Sequence, residues 1–310
     1  MAEVATPGSE ALQARFEWSF QGRVIAVDNG AGFAGGKAFP ALMKLGSLAV
    51  VSFDPTNALA ERKDLEAVEE FQCVPHSTLG DGKPVTLYEC LDARLSATLE
   101  PLPETLAARA AGALKVDPIL ARLPIASVRL DDITGLEHVD WLVLDARNDN
   151  LAILENGVRR LAHALLIEVQ VPFQRDYARQ ADFAAVNAWM ATHGFRFCQF
   201  RSLVLRTRFP TDVFLEKTQA SDTRSATTVF LPTDGYLKHL STNQLLKLSF
   251  LLHTVYRLHD LAYHVLAFVD PKLARQYLVA EGYLWPVDAD EREFTLTATY
   301  SPDIWADAAS

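Results

Sequence analysis

The sequence predicts an α/β fold: a doubly wound, mostly parallel sheet with a C-terminal helical hairpin. Three observations lead to this prediction. Short apolar runs alternate with helical segments, a glycine cluster follows the first run, and a long amphipathic stretch lies near the end of the chain. Apolar runs without polar alternation are typical of parallel strands buried on both faces. With 310 residues, of which 49% are hydrophobic and 22% charged, the chain can form a full core.

The first three strands are predicted at residues 23–28, 47–54 and 71–76, with helices at 36–45 and 58–70. Pro40 limits the first helix to a short or kinked form. Residues 79–84 are rich in turn formers, and the next six residues have strand composition. We therefore predict a hairpin-like insertion at about 77–127, with a helix near 104–114.

Four further strands are predicted at residues 139–145, 164–171, 195–200 and 227–231, and helices at 151–161 and 183–193. Gly194 is expected to cap the second of these helices. Ser241 and Gln244 form a capping box before an apolar stripe at helical spacing, and Asp270-Pro271 opens another helix. The predicted units are a lead-in at 1–22, the sheet domain at 23–235, the helical hairpin at 236–285 and a tail at 286–310.

The glycine turn after the first strand is the strongest candidate binding site. Gly30-x-Gly32-x-x-Gly35 matches the dinucleotide fingerprint, and Asp54 stands where that fingerprint places a ribose-binding acid. Asp28, two positions before Gly30, would repel a pyrophosphate but attract the ammonium and sulfonium groups of S-adenosylmethionine. Asp28 therefore favours S-adenosylmethionine over a nicotinamide dinucleotide. A turn that binds no ligand is the third interpretation.

Composition excludes several other classes. The net charge of −10 and the pI of about 5.3 argue against a nucleic-acid partner. The cysteines lack metal spacing and are interpreted as buried thiols: Cys73, Cys90 and Cys198. Polar residues of the C-terminal helix are interpreted as a solvent-facing side rather than metal ligands: His253, His259, Asp260 and His264. Because the chain shows neither a signal peptide nor a spanning apolar run, a cytoplasmic location and no membrane span are expected.

Several motifs occur in the order and spacing of a known family. Residues 27–32 contain Asp28-Asn29-Gly30-Ala31-Gly32, Phe53-Asp54-Pro55 ends the second strand, and Gly80-Asp81 precedes the strand-forming residues 85–88. Later, Leu130-Asp131-Asp132, Leu144-Asp145 and Ile167-Glu168-Val169 follow in turn. Taken together, residues 23–200 resemble the FkbM-type methyltransferases.

This resemblance implies a class I, Rossmann-like methyltransferase fold and O-methylation of a carbohydrate or another polar hydroxyl, with S-adenosylmethionine as cofactor. It also implies which residues hold the cofactor. Asp28, Gly30 and Gly32 would hold it at the glycine turn, Asp54 at the end of the second strand, and His76 and Ser77 near the adenine. It also implies that Asp145 and Glu168 face the acceptor as candidate catalytic bases.

Five positions depart from the family pattern. In the first turn, Gly32 stands in place of an asparagine and Ala34 in place of a glycine. Val143 stands in place of a lysine, and Asn148 and Asn150 stand in place of a glycine and a glutamate. These departures support a second hypothesis, a catalytically degenerate methyltransferase fold that acts as a binding or assembly module. An NAD-dependent oxidoreductase is the third hypothesis. The expected partners are a small-molecule or glycan acceptor and a second copy of the chain, for which the apolar C-terminal helices offer a candidate homodimer surface.

Overall fold

A computed structural model describes residues 16–109, 118–210 and 213–284 of the chain. Most of the lead-in and the tail lie outside this range. The strands are β1 Val24–Asn29, β2 Leu48–Asp54, β3 Phe71–Pro75, β4 Ser77–Leu79, β5 Val85–Cys90, β6 Ile119–Val128, β7 Trp141–Leu144, β8 Leu166–Pro172, β9 Phe195–Arg206 and β10 Asp222–Pro232. The helices are α1 Phe39–Met43, α2 Pro103–Arg109, α3 Asn150–Glu155, α4 Val158–Leu161, α5 Phe183–Thr192, α6 Asp234–Leu237, α7 Thr242–Thr254, α8 His259–Val269 and α9 Pro271–Ala280.

Seven strands form the main sheet in the order β3-β2-β1-β7-β8-β10-β9. The first five strands in this order pair in parallel, whereas β10 is antiparallel to both β8 and β9. The chain passes outward from β1 through β2 to β3 and later returns to the other side of β1 with β7. The predicted doubly wound, mostly parallel sheet is confirmed, and its switch point lies between β1 and β7.

The strands are apolar because both faces of the sheet are covered. Along β7, Trp141 and Val143 belong to one core cluster, while Leu142 and Leu144 belong to the other. This alternation is what the two-residue period of a strand produces. Helices α1 and α7–α9 cover the first face, and α3–α5 cover the second.

The C-terminal helices belong to the core of the chain. The predicted capping box is present, since Ser241 Oγ accepts a hydrogen bond from Gln244 N and the Gln244 side chain accepts from Ser241 N. The apolar stripe does not continue as one helix. It breaks between α7 and α8, where Arg257 adopts a positive φ of 58°. Three helices therefore replace the predicted hairpin, and most of the stripe packs on the sheet rather than lying free for a dimer.

The insertion forms a second, three-stranded sheet in the order β4-β6-β5. The predicted hairpin is wrong, because β5 pairs antiparallel with β6 and not with β4. Strand β6 was not predicted at all. The predicted helix at 104–114 corresponds to α2, and its last five residues lie outside the described range.

Two other predicted helices differ from the structure. Residues 58–70 form turns with a single 3₁₀ turn at Lys63–Leu65 instead of an α-helix. The helix predicted at 151–161 divides into α3 and α4 at Gly157, where a Cβ would lie 2.8 Å from Leu130 Cδ2. In contrast, α5 ends as predicted at Gly194, which has a φ of 84°.

Among the helices in the described ranges, none combines the length and apolar character needed to cross a bilayer.

Candidate functional site

Asp28 lies near the end of β1 and accepts hydrogen bonds from the glycine turn that follows. Its carboxylate accepts hydrogen bonds from Ala34 N at 2.9 Å, Phe33 N at 3.4 Å and Ser52 Oγ at 3.1 Å. The side chain is only 1% exposed. Asp28 thus shapes the turn from inside, although it also lines the cleft described below.

Burial raises the pKa of Asp28 from 3.8 to about 6, against the opposing effect of its hydrogen bonds. The folded protein therefore binds this proton more tightly than the unfolded chain does. Between the two pKa values the free energy of unfolding must fall as the pH rises, and the full loss is present above the folded pKa.

Replacing Asp28 by asparagine should remove this pH dependence. Relative to the native protein, the free energy of unfolding of Asp28→Asn should rise by about 3 kcal/mol between about pH 4 and pH 7. Urea denaturation of both proteins across this range measures the difference. A difference that stays constant with pH would show that folding does not change the pKa of Asp28.

Gly30 brings the backbone of the turn against Asp145. Its φ is 107°, and a Cβ at this position would overlap the Asp145 carboxylate. Asp145 forms an ion pair of 2.7 Å with Arg147 Nε, and Arg147 Nη2 donates to Gly30 O at 2.9 Å. The nearby Asp145 charge raises the pKa of Arg147, so this guanidinium remains charged.

The two asparagines that depart from the family pattern hold Asp145 in place. Asn148 Nδ2 donates to Asp145 Oδ1 at 2.6 Å, and Asn150 Nδ2 donates to the Asp145 carbonyl at 2.7 Å. Asn148 Oδ1 in turn accepts from Thr78 and Thr98 on the insertion side. Both Asp145 oxygens accept hydrogen bonds, Oδ1 from Arg147 N and Asn148 Nδ2 and Oδ2 from Arg147 Nε, so Asp145 is better suited to positioning than to taking a proton.

Asp54 caps the turn after β2. It is fully buried, and its two oxygens accept from Ala58 N at 2.9 Å and Leu59 N at 2.8 Å. Asp54 is not among the residues that line the cleft, so its carboxylate is held by the backbone rather than offered to a ribose there.

Replacing Asp54 by alanine should lower the free energy of unfolding by about 2–4 kcal/mol, because two buried N–H groups lose their acceptor. Asp54→Asn keeps one acceptor and should cost about half as much. Urea denaturation measures both. If Asp54 bound a ribose instead, Asp54→Asn would lose ligand affinity with almost no loss of stability.

His76 and Ser77 lie apart from the cleft. His76 is exposed with a φ of 52°, and its backbone N–H donates to the Asp54 carbonyl at 2.8 Å. Ser77 is buried in the second sheet, where its Oγ lies 3.4 Å from the Ala126 carbonyl. In this geometry neither side chain joins Asp28, Gly32, Asp145 and Glu168, which line the same cleft.

The cleft has a volume of 1140 Å³ and opens at the carboxyl ends of β1, β7 and β8. The glycine turn and α1 form one wall. The end of α7, the start of α8 and the residue that follows α9 form the other. Ligands of doubly wound sheets bind at this edge, near the switch point. Aromatic rings line much of it: Phe16, Trp18, Phe33, Phe39, Trp141 and Phe250.

Glu168 projects from β8 into the cleft, where its side chain is 14% exposed. Its Oε2 accepts from Tyr256 Oη at 2.8 Å and pairs with Arg201 Nη1 at 3.3 Å. Arg201 also lies over the Tyr256 ring, 4.8 Å from its centroid. Burial raises the pKa of Tyr256 well above its usual value, so the phenol stays a proton donor to Glu168.

Sequence reasoning missed Arg201 and Tyr256. Arg201 follows a predicted strand, and Tyr256 stands in the break between α7 and α8, so neither belongs to a local motif. The signal that could have indicated the interaction is an arginine on one strand of the sheet and a largely buried acid, Glu168, on another. Only strand order brings β8, β9 and the end of α7 together.

The strand order with its antiparallel β9–β10 pair is that of the class I methyltransferase fold. No family model matches the chain, and no curated protein matches it. The FkbM resemblance therefore depends on the quoted motifs alone.

Solved structures similar to the chain include a precorrin-6y C5,15-methyltransferase from Geobacter metallireducens, with 12% identity over 68% of this chain and 82% of the other and a TM-score of 0.34. A putative methyltransferase from Thermoplasma acidophilum shows 8% identity over 72% of this chain and 71% of the other, with a TM-score of 0.34. A TehB-like SAM-dependent methyltransferase from Corynebacterium glutamicum shows 12% identity over 69% of this chain and 83% of the other, with a TM-score of 0.31. Scores this low add nothing to the fold assignment, which depends on the strand order.

Proposed function

We propose that the protein is an S-adenosylmethionine-dependent O-methyltransferase that acts on a polar hydroxyl, such as that of a carbohydrate. One observation carries the proposal. The glycine turn at the switch point of a class I sheet opens onto a cleft lined by Asp28, Asp145 and Glu168. Acidic groups at this place suit a cationic, phosphate-free cofactor and not a pyrophosphate.

The residues fit the methionine half of this cofactor. A Cβ on Gly32 would meet nothing within 4 Å, so a ligand has room to approach the backbone there. Asp145 and Glu168 face the same space as carboxylates. The ribose half fits less well, because the Asp54 carboxylate accepts hydrogen bonds from two backbone N–H groups. Other groups of the cleft would therefore bind the ribose hydroxyls. When bound, S-adenosylmethionine supplies an electrophilic methyl group.

The chain itself supplies orientation and a base. Asp145, fixed by Arg147 and Asn148, sets the backbone position of the turn. Glu168 is the candidate base, and its hydrogen bond from Tyr256 fixes the carboxylate orientation. Glu168→Gln should then reduce turnover by about 10²–10⁴-fold. The aromatic walls limit the access of water to the acceptor.

The test is isothermal titration with S-adenosylhomocysteine. The native protein should bind with micromolar affinity, and Gly32→Leu should bind at least about tenfold more weakly, a loss of about 1.4 kcal/mol. Because Gly32 has free space around it, this variant should keep the native melting temperature. Gly235→Leu is the matched control, since a Cβ there meets only Thr233 Oγ1 at 4.0 Å.

A native protein that does not bind S-adenosylhomocysteine, or a Gly32→Leu variant that binds normally, would contradict the proposal. The second candidate would then be favoured, a degenerate methyltransferase fold that acts as a binding module. The internally satisfied carboxylates of Asp28 and Asp54 and the Arg147 side chain beside Gly30 support that candidate. The third hypothesis, an NAD-dependent oxidoreductase, lacks a ribose-binding acid because Asp54 is held by the backbone. A fluorescence titration with NADH that shows no binding would exclude this hypothesis.

A further inference from the structure

Three side chains with metal-binding chemistry meet where the C-terminal helices end. His253 lies in the last turn of α7, His259 is the first residue of α8, and Glu281 directly follows α9. One ring nitrogen of each histidine and one Glu281 carboxylate oxygen all lie within 4.8 Å of one another. Since the three residues come from different helices, only the packing of α7–α9 creates this cluster.

His253 is held in one orientation. Its Nδ1 lies 2.9 Å from Tyr277 Oη, and its ring centroid lies 4.6 Å from that of His259. A histidine that binds a metal commonly has its other ring nitrogen fixed by a hydrogen bond in this way.

His259 and Glu281 are short of partners. Among the described residues, no atom forms a hydrogen bond with the buried His259 Nδ1. Glu281 Oε1 accepts one long hydrogen bond of 3.4 Å, from Phe16 N. Buried polar atoms without partners are uncommon in folded proteins, and an unplaced ion is one of their recognised explanations.

We propose that His253, His259 and Glu281 bind a divalent transition metal of the zinc type. Two imidazoles and one carboxylate form a three-ligand set that leaves a fourth position open. Ligand bonds of about 2.1 Å place tetrahedral donors about 3.4 Å apart, so the cluster needs only side-chain rotation to close.

All three residues line the cleft, so a metal ion that they bind would lie at the wall of the cleft. Arg257 lines the same cleft and adds a positive charge. A water on such a zinc ion has a pKa of about 7, which would place a hydroxide beside any hydroxyl compound in the cleft. The metal site itself does not depend on methyl transfer.

Equilibrium dialysis of the full chain against Zn²⁺ tests the proposal directly. The native protein should bind one equivalent, and Co²⁺ should show the visible absorption of a low-coordinate site. His259→Gln and Glu281→Gln should each weaken binding by at least about 100-fold, beyond the range of an outer-shell effect. Tyr277→Phe, which removes only the support of His253, should weaken it by about 10–100-fold.

His264→Gln is the matched control. His264 lies on the same helix as His259 but faces Asp234, at 3.5 Å, and should be replaceable without loss of zinc affinity. Glu281→Gln retains the acceptor for Phe16 N, so it should keep the metal-free melting temperature even if a histidine variant unfolds. A native protein that binds no Zn²⁺ below about 100 μM, or equal losses in the control, would overturn the proposal.

Discussion

Replacing Asp140 by alanine is expected to lower the free energy of unfolding by about 3–5 kcal/mol. Asp140 directly precedes β7 and is 1% exposed, and its Oδ2 lies 2.9 Å from Lys247 Nζ of α7, whose side chain is 7% exposed. The same oxygen accepts from Ile25 N at 2.9 Å. Alanine at position 140 would leave a buried ammonium without its counter-ion and a strand N–H without its acceptor.

Urea denaturation measures this effect, and a double-mutant cycle isolates the pair. Lys247→Met should also be strongly destabilising, and the double variant should cost clearly less than the sum of the two single changes. The exposed pair Arg62–Asp64 provides the control, because Asp64→Ala should leave the urea midpoint nearly unchanged. Additive effects at positions 140 and 247 would contradict a coupled buried pair.

Replacing Gly30 by alanine is expected to destabilise the protein by more than about 3 kcal/mol. The positive φ of 107° alone would cost about 1–2 kcal/mol for a residue with a Cβ. The new Cβ would also overlap the Asp145 carboxylate, which cannot move freely because Arg147 and Asn148 hold it. Displacing Asp145 would break a largely buried ion pair, so steric and electrostatic costs add.

Gly46→Ala is the control for this variant. Gly46 also has a positive φ, of 68°, but a Cβ there would meet nothing within 4 Å. It should therefore show only the cost of an αL backbone, and the extra loss in Gly30→Ala should report the contact with Asp145 together with a φ that lies outside the αL region. Equal melting temperatures for Gly30→Ala and Gly46→Ala would show that the turn can move away from Asp145.

The parts of the fold that could be predicted are those with strong local patterns. Strands β1, β2, β7 and β8 are rich in apolar residues, and the capping box and Gly194 mark helix ends by local chemistry. Strand β6 could not be predicted, because it alternates exposed and buried residues irregularly and contains Pro124. Strands β4 and β5 pair with its two edges. Because both are separated from β6 in the sequence, no local pattern indicates this pairing.

The sequence by itself determined the sheet, the position of the glycine turn and the acidic character of the cleft, because apolar period, glycine placement and charge are properties of short segments. Only the tertiary structure decided what each acid contacts. Asp54 meets two backbone N–H groups, Asp145 meets Arg147, and Glu168 meets Tyr256 and Arg201. The role of a carboxylate depends on its partners across elements, and those partners are fixed by packing and strand order rather than by neighbours in the chain.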